Sequence, residues 1–169
     1  MTIDMSMSDN NIAERVRGTI YQASLCLDEA RWDDWLGLCH DEFYYAIRAF
    51  SPEINVDMTY LDGKRADMVT LTEMLPKHNS DHSPLARHTV VYTVDVDEAQ
   101  QTASAVSSFT VMKTELDGIN SHLLAGESNV FLVGKYRDQF RIESGTPLFS
   151  ERIVQLDTRR LDKGSHWPI

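Results

Sequence analysis

The chain has 169 residues, with 26 acidic against 16 basic side chains and a formal net charge of −10. So acidic a balance argues against nucleic acid, whose phosphates need a cationic footprint, and equally against anionic membrane surfaces, and no apolar run approaches the roughly 18 residues that span a bilayer. An apolar content of 42% fills one ordinary core, the two cysteines Cys26 and Cys39 are too few for a disulfide framework, and the N-terminus lacks the basic-then-apolar order of a signal peptide. A soluble, cytoplasmic, single-domain protein is expected.

Residues 1–8 read as a flexible N-terminus, with Ser8 or Asp9 as the N-cap of a first helix. Ile12, Val16, Ile20, Ala23 and Leu27, spaced by three or four, line one face of that helix. A second, short helix over 31–39 places Trp32, Trp35, Leu36 and Cys39 at the same spacing, with both indoles under a sheet. The period then falls to two. Phe43, Tyr45 and Ile47 alternate with Tyr44, Ala46 and Arg48 in an aromatic strand that Ser51-Pro52 interrupts. An extended piece follows over 55–61, with Asp62-Gly63 as a turn. Met68, Leu71, Met74 and Leu75 predict a third helix ending near Pro76, and the polar, Pro-bounded segment 77–84 reads as a loop.

From there the pattern is all strand. His88, Val90, Tyr92, Val94 and Val96 share one face, opposite Thr89, Val91, Thr93 and Asp95. A strand over 103–115 is closed by Asp117-Gly118; strands over 122–136, 136–143 and 148–157 follow, with Gly145 in the last hairpin turn. Helices first and a meander after them predict an α+β fold, the N-terminal helices packed in a strongly bent antiparallel sheet. Residues 158–169 form an extended C-terminal tail that ends Trp-Pro-Ile and needs something to bury it.

Chemistry is sparse. His78, His82 and Asp81 are the types that build a two-His, one-carboxylate site, but the polar residues between the histidines and the flanking prolines favour a solvated or interface loop. There is no Gly-x-Ser-x-Gly elbow and no Gly-rich phosphate loop. An acid or base pointing into an enclosed pocket is what remains, and Asp57, His88 and Tyr92 are the candidates, each with a plain structural alternative. The charged stretch holding Glu151, Arg152, Asp157 and Arg159 reads as a solvated strand end. Arg159, Arg160, His166, Trp167 and Ile169 are candidate subunit-interface residues, because Trp and Arg dominate interface hot spots.

Five segments in order carry a resemblance: Ala30-Arg31-Trp32-Asp33-Asp34-Trp35-Leu36, Ser83-Pro84-Leu85-Ala86-Arg87-His88, Ser107-Ser108-Phe109-Thr110-Val111, Val133-Gly134-Lys135-Tyr136-Arg137-Asp138, and Leu156-Asp157-Thr158-Arg159-Arg160-Leu161. Over nearly its whole length the chain resembles the small (β) subunits of aromatic-ring-hydroxylating, Rieske-type oxygenases. The resemblance implies one cystatin- or NTF2-like cone over 1–169 and a non-catalytic structural role beside a large (α) subunit, typically as α3β3 with this chain as a trimer. It implies that the large subunit holds the Rieske [2Fe-2S] cluster, the mononuclear Fe(II) and the substrate pocket of an NADH-dependent oxygenase, served indirectly by ferredoxin and reductase. Ala49-Phe50-Ser51-Pro52-Glu53-Ile54 and Leu75-Pro76-Lys77-His78-Asn79-Ser80-Asp81 resemble the methanesulfonate-oxidising branch more than the hydrocarbon dioxygenases. Ser144-Gly145-Thr146-Pro147 departs from the Gly-Gly-Trp turn usual in the family. No cofactor, metal or catalytic residue is expected in this chain: Cys39 directly precedes His40 and Cys26 has no histidine nearby, so the paired Cys/His loops of a Rieske cluster are missing, and both thiols fall on helical apolar faces. The alternatives are a stand-alone isomerase or dehydratase of the same cone fold, using a buried acid or base, and a homo-oligomeric binding module.

Overall fold

The computed structural model describes residues 5–79, 81–116, 123–159 and 167–169, with only the backbone for 5–10. Helix α1 (Met5–Asp28) runs ahead of α2 (Trp32–Gly37), β1 (Cys39–Ser51), β2 (Val56–Lys64), α3 (Arg65–His78) and four strands: β3 (Leu85–Asp97), β4 (Thr102–Thr114), β5 (Ser128–Glu143) and β6 (Thr146–Leu156). The strands form one six-stranded sheet in the order β2-β1-β6-β5-β4-β3. The meander from β3 to β6 is antiparallel as expected, but β1 joins β6 in parallel, so the sheet is mixed. A parallel pair needs a long crossover, and the whole chain between β1 and β6 supplies it.

α1 lies across β3 and β6, α3 covers β1 and β2, and α2 wedges between the other two helices. The face of α1 built by Val16, Ile20, Ala23 and Leu27 is buried, with Ile12 packed at its margin. The helix starts at Met5, so Ser8 and Asp9 lie inside it rather than capping it. It stops in a Schellman closure: Arg31 N–H reaches Cys26 O at 2.8 Å and Ala30 N–H reaches Leu27 O at 3.3 Å, with Ala30 at φ 53°. Arg31 also donates to Glu29 and Asp34, which pins the corner before α2.

Several expectations give way to tertiary context. Trp35 and Leu36 are buried under the sheet, whereas Trp32 is only half-buried and Cys39 already belongs to β1. Asp62-Gly63 is not a turn: both residues are inside β2, paired with Ala46 and Tyr45. The glycine is there for space, since a Cβ at Gly63 would come within 2.7 Å of the Cβ of Asp67, whose carboxylate accepts the Lys64 amide at 2.7 Å to open α3. Pro76 sits inside α3, and the helix closes through Asn79 N–H to Leu75 O at 3.0 Å. Met68 and Leu75 are buried with Thr72, and Met74 is exposed. The strands expected over 122–136 and 136–143 are one continuous β5 from Ser128. Ser144 (φ 49°) and Gly145 (φ 80°) make the two-residue turn into β6, with positive φ at both central positions as such hairpins require. The turn expected at Asp117-Gly118 lies outside the described residues.

The largest difference is in β3. Val91 pairs with Ser107 and Thr93 with Val106, which leaves Tyr92 as an extra residue. This bulge shifts the side-chain period by one. Val94 and Val96 therefore pack on the core, while His88, Val90 and Tyr92 face solvent.

Candidate functional site

The concave face of the sheet is where an acid or base could be enclosed. Phe43, Tyr45, Phe109, Tyr136, Phe140 and Phe149 all point into it and are at most 1% exposed. At its centre lies an ion pair. Arg152 Nε and Nη2 each donate to Asp138 at 2.8 Å, and both side chains are essentially inaccessible. The guanidinium also stacks on Tyr136 (4.1 Å) and Phe149 (4.5 Å), and Tyr136 stacks on Phe109 at 4.3 Å. Burial pushes the Asp138 carboxyl up and Arg152 opposes that shift; burial works against the Arg152 charge, but Asp138 more than offsets it and raises its pKa. The two parallel hydrogen bonds require carboxylate and guanidinium together, so the pair is neutral as a unit and holds no proton ready for transfer.

The mouth of this interior is closed by the chain itself. Ile169 is 2% exposed; its N–H donates to the Tyr45 hydroxyl at 2.7 Å, and that hydroxyl donates to Ile169 O at 3.2 Å. Arg87 Nη2 donates to Pro168 O at 2.9 Å while Nη1 holds Asp28, the last residue of α1, at 2.6 Å. Trp167 packs against Trp32 with ring centres 5.5 Å apart. Burial raises the Tyr45 and Tyr136 hydroxyls, so neither is a base at ordinary pH.

The sequence candidates for acid–base work are elsewhere. Asp57, His88 and Tyr92 are all exposed, on β2 and on the outer side of β3, and none enters the interior. Arg152, read as part of a solvated strand end, is instead among the most deeply buried side chains. Its partner Asp138 was missed as well. A signal existed: Arg152, Val154 and Leu156 share a period of two, as do Tyr136, Asp138 and Phe140, so each charge occupies a core position of its strand.

A second concavity of about 220 Å³ lies beside Trp167, lined by Asp28, Asp81, His82, Lys113 and Phe131 among others. Asp81 is engaged there by Lys113 at 2.6 Å and by the Ser83 amide at 2.9 Å. Burial opposes its ionisation, but Lys113 and Ser83 override that and hold its carboxyl at about 2. His78 stands at the end of α3 and is exposed, as is His82. Among the described residues no three His, Cys, Asp or Glu side chains gather into a metal-binding group. Cys26 and Cys39 are buried in different elements, and burial pushes the Cys39 thiol up to about 12. These residues do not fit an iron–sulfur cluster or a mononuclear iron.

Of the candidate interface residues, Arg159 pairs with Glu53 and its carbonyl accepts from Tyr60. Trp167 is half-buried against Trp32, and Ile169 is already covered by its own chain. Arg160 and His166 lie outside the described residues.

A mixed sheet wrapped on its own N-terminal helices, with an interior filled by aromatics and a neutralised ion pair, defines a scaffold of the cystatin type. The chain belongs to the SnoaL-like domain family, which matches it over residues 12–153. It is 60% identical over 157 residues to the β subunit of methanesulfonate monooxygenase hydroxylase from Methylosulfonomonas methylovora, covering 93% of this chain and 87% of that one. It is 27% identical over 152 residues to the β subunit of 2-aminobenzenesulfonate 2,3-dioxygenase from an Alcaligenes species, covering 89% and 94%. A crystal structure from Novosphingobium aromaticivorans, assigned as the β subunit of an aromatic-ring-hydroxylating dioxygenase, superposes with a TM-score of 0.70 at 23% identity over 88% of this chain and 90% of that one. No helix among the described residues is long and apolar enough to cross a membrane.

Proposed function

We propose that this chain is the non-catalytic structural β subunit of a multicomponent oxygenase hydroxylase that oxidises a sulfonate, with methanesulfonate as the first substrate to test. The 60% identity to a methanesulfonate monooxygenase hydroxylase β subunit over 93% of the chain carries this reading. The interior supports it, because its central charges, Arg152 and Asp138, are bound to each other and the chain's own Ile169 is docked on Tyr45. In this reading the large subunit supplies the Rieske cluster, the Fe(II) and the substrate pocket, ferredoxin and reductase deliver electrons from NADH, and the assembly is α3β3. Among the described tail residues, Trp167 and Arg159 have surface left to offer a partner.

Co-expression with the large subunit, followed by size-exclusion chromatography, tests the proposal. The two chains are expected to co-elute, with sulfonate-dependent NADH consumption on adding the electron-transfer components. A chain that ignores the large subunit, or that alone turns over a small-molecule substrate, would overturn it.

A further inference from the structure

We propose that the interior beneath Pro168 and Ile169 is a binding site for a small organic oxyanion, a short-chain carboxylate or sulfonate, which enters in exchange for those two residues. The inference goes beyond the subunit role and stands or falls on the interior alone. Around the tail the concave face carries more donors than acceptors. Arg87 Nη2 and the Tyr45 hydroxyl donate to Pro168 O and Ile169 O. Arg87 Nε, Arg152 Nη1 and the hydroxyls of Tyr136 and Ser107 have no partner among the described residues, although each of these atoms is buried. The two guanidinium nitrogens can only donate. Buried polar groups are ordinarily satisfied, so four idle ones in one interior mark a place suited to acceptor oxygens.

These groups share one neighbourhood. The registers set Tyr45, Arg152 and Asp138 in one inner row, and Val154, Tyr136 and Ser107 in the next. The Arg152 guanidinium lies 4.1 Å from the centre of the Tyr136 ring. Burial raises the Tyr136 hydroxyl while Arg87 and Arg152 both pull it down, and the same two cations act on Tyr45. The balance of charge favours an anion. Asp138 cancels Arg152 at equal depth, but the Arg87 side chain is 2% exposed and its partner Asp28 is 22% exposed, so water screens that carboxylate more than the cation. The tail shows what else fits: Ile169 buries a branched alkyl group, and its oxygen and that of Pro168 reach Tyr45 and Arg87. A ligand that joins an alkyl group to an oxyanion reproduces those contacts and engages the idle donors as well.

The test is isothermal titration calorimetry of the full chain with methanesulfonate, with isobutyrate and, as an anion without an alkyl group, with inorganic sulfate. It is run on the parent, Trp167→Ala and Tyr136→Phe, with circular dichroism to verify folding. Both organic anions are expected to bind at one site per chain, and sulfate about tenfold more weakly than isobutyrate. Trp167→Ala removes the stacking on Trp32 that helps hold the tail, and is expected to bind both about fivefold more tightly. Tyr136→Phe removes an idle donor and no tail contact, and is expected to bind roughly tenfold more weakly. Should it fail to fold, Ser107→Ala carries the same expectation. Absence of binding in both the parent and Trp167→Ala overturns the inference. So does sulfate that binds as tightly as isobutyrate, or an idle-donor variant that binds like the parent, which is what a purely structural side chain predicts. The tighter of the two organic anions assigns the site to sulfonates or to carboxylates.

Discussion

Arg137 and Asp138 are neighbours in the chain and face opposite sides of the same sheet. Asp138 is 1% exposed and locked in two hydrogen bonds with Arg152, while Arg137 stands in solvent with a glutamine for company. The inner face uses its charges against each other, and the pair shapes the interior. The outer face pairs its charges with neighbours at the surface, Arg137 with Gln155 and Arg141 with Glu42.

The inner pair offers the largest effect by which that contrast can be broken. Asp138→Ala leaves a guanidinium unpaired among aromatic rings and is expected to cost about 3–5 kcal/mol in urea unfolding. Arg152→Met/Asp138→Leu is expected to recover most of that loss, since two apolar side chains do not need each other. A single variant as stable as the parent would mean that the pair is not the structural centre argued for it. The tail closure comes next. Ile169→Ala is expected to lower stability by about 2 kcal/mol, the low end for a buried Ile, and Tyr45→Phe by about 1–3 kcal/mol because the Ile169 N–H loses its acceptor. Thermal melting of the isolated chain checks both, and unchanged midpoints would return the tail to a purely intersubunit role.

Trp167→Ala sharpens the same contrast at the rim. Its half-buried ring is expected to contribute roughly 2 kcal/mol to assembly with the large subunit, against about 1 kcal/mol for its contact with Trp32 within the chain. Comparing co-elution with melting of the isolated variant separates the two. The smallest effect is on pH dependence. Asp81 is held at about 2 against burial by Lys113 and Ser83, and Glu53 at about 2 chiefly by its hydrogen bond from Arg159. A carboxyl lowered in the folded state stabilises above its unfolded pKa and loses that contribution as pH falls towards the folded value. Stability is therefore expected to fall between about 4.5 and about 2, and Asp81→Asn/Glu53→Gln should flatten that part of an acid titration followed by circular dichroism.

Much of this was legible in the sequence because it is local. The period of three and four in Val16, Ile20, Ala23 and Leu27 placed α1 and its buried face, and the alternation through Phe43, Tyr45 and Ile47 placed β1. The turn at Gly145 was legible because glycine tolerates the left-handed backbone found there, and the order of family-like segments indicated the fold without a coordinate. Where the local signal was two-sided it misled. Gly63 reads as a turn because glycine is common in turns, yet here it makes room for Asp67.

The sequence by itself determined the helices, most of the strands and the family, since these follow from side-chain period, turn chemistry and short motifs within a few residues. Only the tertiary structure decided which face each charge occupies. One extra residue at Tyr92 reverses the faces of half of β3, and a period of two cannot say which side is the inside. The parallel contact of β1 with β6, the meeting of Arg152 with Asp138, and the docking of Ile169 on Tyr45 across 124 positions join residues far apart in the chain. Such contacts form because burial of the whole core repays their ordering, and no short window of sequence contains that balance.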